Sequence, residues 1–107
     1  MDKWSATERK VARKAFDSAF QKECSQIIYD VKKMAMGASK PPDLWDIRRY
    51  LDERLKEVER KYDYRYGVLP HLFARLLKEG WISPEDVAGL DEDKIEYIRT
   101  MAGINSP

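Results

Sequence analysis

One cysteine, one histidine and five glycines in 107 residues leave few of the usual chemistries open. A single cysteine, Cys24, rules out an internal disulfide, and its place on an apolar helical stripe reads as core. Cys24 and His71 together fall short of the ligand set that a zinc site draws from one chain, so no metal and no cofactor are expected. Glycine is too sparse for a phosphate-cradling loop, and no G-x-S-x-G or paired-carboxylate pattern occurs, so the residues suggest no enzyme. No apolar run approaches the ~20 residues of a membrane span, and MDKWSATERK has no apolar h-region, which together predict a cytoplasmic protein without a membrane contact. A dominant charge is missing too. Lys+Arg number 20 and Asp+Glu 19, and a net charge of +1 exerts no global pull on nucleic acid.

Charge and helical periodicity are plentiful. Charged side chains make up 36% of the chain and apolar ones 43%, enough for a modest core in a single domain over 1–107. Residues 1–36 carry an excess of three positive charges and residues 83–99 an excess of four negative ones. Solvated helix faces produce such bipolarity by themselves, and it would also steer an antiparallel self-association.

Between Asp43 and Gly80 lies the most regular pattern. Leu44, Ile47, Leu51, Leu55, Val58 and Tyr62 recur at spacings of 3, 4, 4, 3 and 4, one narrow stripe on a helix. Nearly every other position there is charged, so the stripe needs a partner helix. A second copy of the chain is therefore expected over Leu44, Ile47, Leu51, Leu55 and Val58. Asp52/Lys56 and Glu57/Lys61 are spaced to pair on the outer faces of this helix.

The remaining elements follow from local signals. Ser5-Ala6-Thr7-Glu8 has the capping-box pattern, and the apolar positions from Val11 to Met34 carry a first long helix over 5–36, ended by Gly37. At ~1.5 Å per residue that helix is roughly 45 Å long, so the molecule is expected to be elongated. Pro41-Pro42 opens a second long helix, 43–66, which Gly67 and Pro70 break. Val68, Leu69, Leu72, Phe73, Leu76 and Leu77 form a short, very apolar third helix capped by Gly80. Ser83-Pro84 starts a fourth reaching about Leu90, and Asp91 caps a fifth in which Ile95, Ile98 and Met101 face inward while Glu92, Asp93, Lys94 and Glu96 stay wet. No strand period survives. The expected fold is all-α, two long helices and a C-terminal head of two or three short ones over 67–102, in an elongated homodimer.

Two surfaces carry the candidate interactions. Arg9, Lys10, Arg13 and Lys14 make a basic cluster on the first helix that would suit phosphate contacts, though Glu8, Asp17 and Glu23 interrupt it; a nucleic-acid-associated helical protein is the alternative reading. Trp45, Tyr50, Tyr62, Tyr64, Tyr66 and Trp81 are the residue types enriched at the centres of protein interfaces. They favour a protein partner.

At these residues the chain resembles the fluorescence recovery protein family of cyanobacteria. The similarity rests on Asp43-Leu44-Trp45, Leu51, Lys61-Tyr62-Asp63 with Arg65, and Phe73-Ala74 followed by Leu76-Leu77-Lys78-Glu79-Gly80, with Ala15-Phe16 and Ala19 to Glu23 in the first helix. The resemblance implies an all-α dimer that binds the C-terminal domain of the orange carotenoid protein. It implies further that binding speeds return from the light-activated red form to the orange one, ending quenching at the phycobilisome. Of the family's partner-binding pattern, Trp45 is kept. Arg48 and Arg49 stand where that pattern has His and Asp, Leu55 where it has a functional Arg, His71 two residues before Phe73 where it has an aromatic, and Tyr97 where it has Lys. The resemblance thus places partner binding at Trp45, Arg48, Arg49, Leu55, His71, Phe73 and Tyr97, on either the carotenoid protein or an unrelated replacement.

Overall fold

The computed structural model describes residues 3–104. Its first helix, α1, runs Ala6–Gly37, and the cap is as the sequence predicts: the Ser5 hydroxyl accepts from the Glu8 amide at 3.1 Å while the Glu8 carboxylate accepts from the Ser5 amide at 2.9 Å. Gly37 is the last helical residue, and the chain turns extended at Ala38. The second helix, α2, spans Pro41–Lys61, with Pro41 and Pro42 in its first turn, where they forfeit no helical hydrogen bond. The Asp43 carboxylate accepts from the amides of Ser39 and Lys40, at 2.9 and 3.0 Å, so the turn into α2 is held by an acid at the positive end of the helix.

α2 ends five residues before the expected Tyr66. Side-chain packing explains it: Tyr62 sets its ring edge-on to Phe16 and Phe20, at 5.4 and 5.3 Å, and Tyr64 packs edge-on to Phe16 at 4.9 Å. A helix could not aim positions 62 and 64 at one face of α1, whereas an extended segment does so through its alternation. Trp4 closes the row by lying 5.2 Å from Tyr66.

The head is α3, Leu69–Glu79, followed by a single 3-10 turn at Pro84–Val87 and by α4, Glu92–Met101. The expected fourth helix to Leu90 is therefore only that short turn. Gly80 ends α3 at φ 85°, with the Trp81 amide reaching back to the Leu76 carbonyl at 2.9 Å, a termination that needs a residue without a β-carbon penalty. Leu69, Phe73, Leu76 and Ile98 are sealed from solvent and pack with Leu72, Leu77, Ile82, Val87 and Leu90 onto Ala12, Ala15 and Ala19 of α1. Alanine on that face lets the head approach the α1 backbone closely. Met101, expected inside, is 53% exposed, because Ala102 rather than Met101 takes the inward position at the end of α4.

All five elements among the described residues are helical, and they measure 53 × 30 × 17 Å with a radius of gyration of 16.8 Å, against ~13 Å for a compact chain of this size. The length comes from α1. Its first half carries the head, while its second half pairs with α2 in a hairpin that projects beyond the head. Cys24, on the hairpin face, is only half-buried. No described helix is long and apolar enough to cross a membrane.

Candidate functional site

Along α2 the predicted stripe divides in two. Leu44 is 62% exposed and Leu55 42%, Ile47 and Leu51 are half-buried, and Val58 is buried at 5%. Val58 is thus covered within the chain and is removed from the surface that a second copy could reach. Nothing described covers Leu44 and Leu55, and the apolar surface continues at the hairpin end with Trp45, Ile28, Tyr29 and Met36, each more than half exposed.

Trp45, Arg48 and Arg49 share a shallow groove of about 360 Å³ with Asp52, Glu53 and Lys56 on the outer face of α2. Its two arginines are already paired along the helix. Arg49 bonds Asp46 at 3.0 Å, and Arg48 lies 3.7 Å from Asp52, which takes the carboxylate expected to face Lys56. Trp45 stands clear of these pairs as an exposed ring with no aromatic neighbour among the described residues.

In the head, His71 and Tyr97 form a second small feature. Their rings meet edge-on at 5.2 Å, and the Tyr97 hydroxyl lies 2.9 Å from Nδ1 and 3.0 Å from Nε2 of His71. This contact ties α3 to α4 at the surface. Phe73 does not join it. It is fully buried in the core of the head, so it can shape the surface only by positioning α3.

Sequence reasoning missed the buried charges. Glu23, in the middle of α1, is 1% exposed; one carboxylate oxygen lies 2.6 Å from the Lys61 ammonium and accepts from the Tyr62 hydroxyl at 2.8 Å, and the other accepts from Arg54 at 3.2 Å. Lys61, expected on an outer face with Glu57, is instead sealed between Glu23 and Glu79, with Glu57 left at 3.9 Å. Burial and the bond to Glu23 push the Tyr62 phenol far above its ordinary range. Burial works against the charge of Glu79, yet the hydrogen bonds from Lys61 and Arg75 hold its carboxyl below the usual value. Lys94, expected to stay wet, is 1% exposed and donates to Glu8 at 3.0 Å, to Asp91 at 3.0 Å and to the Lys3 carbonyl at 2.8 Å. One available signal was the order Lys61-Tyr62 at the foot of an apolar stripe, since position 61 follows Val58 at helical spacing.

The basic cluster on α1 is partly engaged. Arg13 lies over the Tyr64 ring at 3.7 Å and 3.5 Å from Asp17, and Arg9 sits over Tyr66 at 5.8 Å. Two of its four cations are therefore spent on holding the aromatic row.

Comparison with known proteins agrees with this architecture. The family model described as photoprotection regulator fluorescence recovery protein matches residues 4–102. The fluorescence recovery protein of Synechocystis sp. (strain ATCC 27184 / PCC 6803 / Kazusa) is 33% identical over 99 residues, covering 92% of this chain and 91% of the relative. The solved fluorescence recovery proteins of Fremyella diplosiphon, at 37% identity, and of Synechocystis sp. PCC 6803, at 33%, each superpose with a TM-score of 0.90 over 94% of this chain and 99% of theirs. An all-helical, elongated fold, an apolar face left open on α2 and an exposed tryptophan on its outer face are thus found in a chain that belongs to the fluorescence recovery protein family of photoprotection regulators.

Proposed function

We propose that this chain regulates photoprotection as a cytoplasmic, non-enzymatic homodimer, binding a partner protein through the outer face of α2 and the adjoining head. The observation that carries the reading is the open face of α2: Leu44 and Leu55 stand exposed while Trp45 projects beside them. An apolar stripe facing water is stabilised by a second copy, and an exposed tryptophan is a typical interface anchor.

The surface chemistry bears on the choice of partner. The family pattern implied by the resemblance has an Asp where this chain has Arg49 and an Arg where it has Leu55. A reversed charge opposite the same partner turns attraction into repulsion, at a cost of several kcal/mol. The orange carotenoid protein C-terminal domain is therefore expected to be bound weakly by the unmodified chain, and an unrelated protein of different surface charge is the alternative partner. The nucleic-acid reading gains nothing, since Arg9 and Arg13 are held on tyrosine rings.

Reversion of photoactivated orange carotenoid protein, followed by its absorbance, tests this. The unmodified chain is expected to accelerate reversion little or not at all. Arg49→Asp and Leu55→Arg together are expected to do so more than either alone. Strong acceleration by the unmodified chain would overturn the assignment of the altered positions.

A further inference from the structure

Where the end of α2 meets α3, a groove of about 280 Å³ is walled by Arg60, His71 and Arg75 over a floor of Val68 and Leu72. Its charges do not cancel. Lys61 is taken by Glu23 and Glu79, at 2.6 and 2.8 Å, and Arg75 donates to Glu79 at 2.9 Å. Asp63, the carboxylate lining the groove, is engaged by Arg65, whose Nε donates to both of its oxygens at 2.9 Å. Arg60 is left over. Its Nε donates only to the Lys56 carbonyl, at 3.4 Å, and no carboxylate among the described residues lies within ion-pair distance of it.

We infer that this groove binds an acidic side chain flanked by apolar ones on a partner protein, with Arg60 gripping the carboxylate and Val68 and Leu72 receiving the neighbouring apolar group. Arginine matches a carboxylate with two parallel donors, and a groove with an apolar floor desolvates that contact. The His71 ring, fixed by the Tyr97 hydroxyl, borders the same space and offers a further polar contact. A continuous polyanion such as nucleic acid is disfavoured, because Arg60, a single cation without a carboxylate partner among the described residues, offers one anion contact rather than a track of them. The inference rests on the reading of the chain as a protein-binding regulator and adds a contact away from Arg49 and Leu55.

The test is an NMR titration of the full chain with an acetylated, amidated pentapeptide, Ala-Leu-Glu-Leu-Ala, following the Arg60 Nε–H and His71 ring signals. Saturable shifts are expected, with the glutamine counterpart of the peptide binding about tenfold more weakly, the usual worth of a charge-assisted contact. Arg60→Gln, an exposed change, is expected to remove the difference between the two peptides, whereas Lys22→Gln on α1 leaves it intact. Equal binding of both peptides, inorganic phosphate binding more tightly than the acidic peptide at equal ionic strength, or no shift at Arg60 would each overturn the inference. The titration uses no carotenoid protein, and the reversion assay reads Arg49 and Leu55, so either can fail without the other.

Discussion

Glu23 and Lys61 meet at 2.6 Å, each with only 1% of its side chain open to solvent, one from the middle of α1 and the other from the last turn of α2. The pair joins the hairpin to the head, since Lys61 also bonds Glu79 at the end of α3. A buried charge left alone is far costlier than a buried pair. Glu23→Gln is therefore expected to destabilise the fold by about 3–5 kcal/mol, because it removes the buried negative charge facing Lys61 and Arg54 and turns one of the two acceptor oxygens into an NH2 donor aimed at them. Glu23→Gln with Lys61→Met is expected to recover part of that loss. Urea denaturation of both variants measures it; a single variant within about 1 kcal/mol of the parent would show that the cluster is hydrated in solution.

A second buried carboxylate gives the fold an acid limit. Glu8 is 6% exposed, and its pKa is lowered from 4.5 to about 2, first by the Ser5 amide, against the opposing effect of burial, and then by the Asp91 amide and Lys94. A depressed carboxyl contributes its full stabilisation above its unfolded pKa and loses it as pH falls through the folded one. The Glu8 contribution should accordingly be complete above about pH 5 and decline as the pH falls from 4.5 towards 2. Thermal melts across that range should show the parent and Glu8→Gln converging at low pH. A stability difference independent of pH would exclude the ionised carboxylate as its source.

Much of the backbone was legible in the sequence. The Ser5 capping box, the prolines opening α2, the Gly80 termination and the Asp91 cap are local signals, and each lies where its pattern placed it. The errors have one physical origin. Helical spacing tells which residues share a face but not whether a charged residue on that face is paired, so Lys61 and Lys94 read as solvated when they are buried against Glu23 and Glu8. The early end of α2 was hidden for a similar reason: Tyr62 and Tyr64 leave the helix for rings on α1 some forty-odd residues earlier in sequence. Of the candidate surface, Trp45, Arg48, Arg49, Leu55, His71 and Tyr97 are at least partly exposed, while Phe73 and Val58 are inside because the head and α1 cover them.

Gly89 provides a prediction that no pattern announces. A β-carbon there would lie 2.6 Å from Cγ2 of Val11, far inside van der Waals contact. Valine is branched at Cβ and stiff in a helix, so it cannot swing aside. Gly89→Ala is expected to cost about 1–3 kcal/mol through overpacking between α1 and the segment before α4. Val11→Ala in the same chain should relieve most of it. A double variant no more stable than Gly89→Ala alone would place the strain elsewhere.

The last prediction concerns self-association. Leu44 sits in the first turns of α2, 62% exposed, and Leu55 three turns on is 42% exposed, so about 16 Å of apolar helix face lies open in the single chain. Light scattering at tens of micromolar should therefore find the mass of two chains. In a two-fold assembly one substitution acts twice. Leu44→Glu puts two carboxylates in or beside the contact, each costing several kcal/mol if left unpaired, and every 1.4 kcal/mol is tenfold in affinity. A loss of a few orders of magnitude is expected, leaving a monomer. Because Leu44 is exposed within one chain, that monomer should keep the helical circular dichroism of the parent. A parent with the mass of one chain, or a Leu44→Glu variant that stays dimeric, would show that the open face of α2 is not where two copies meet.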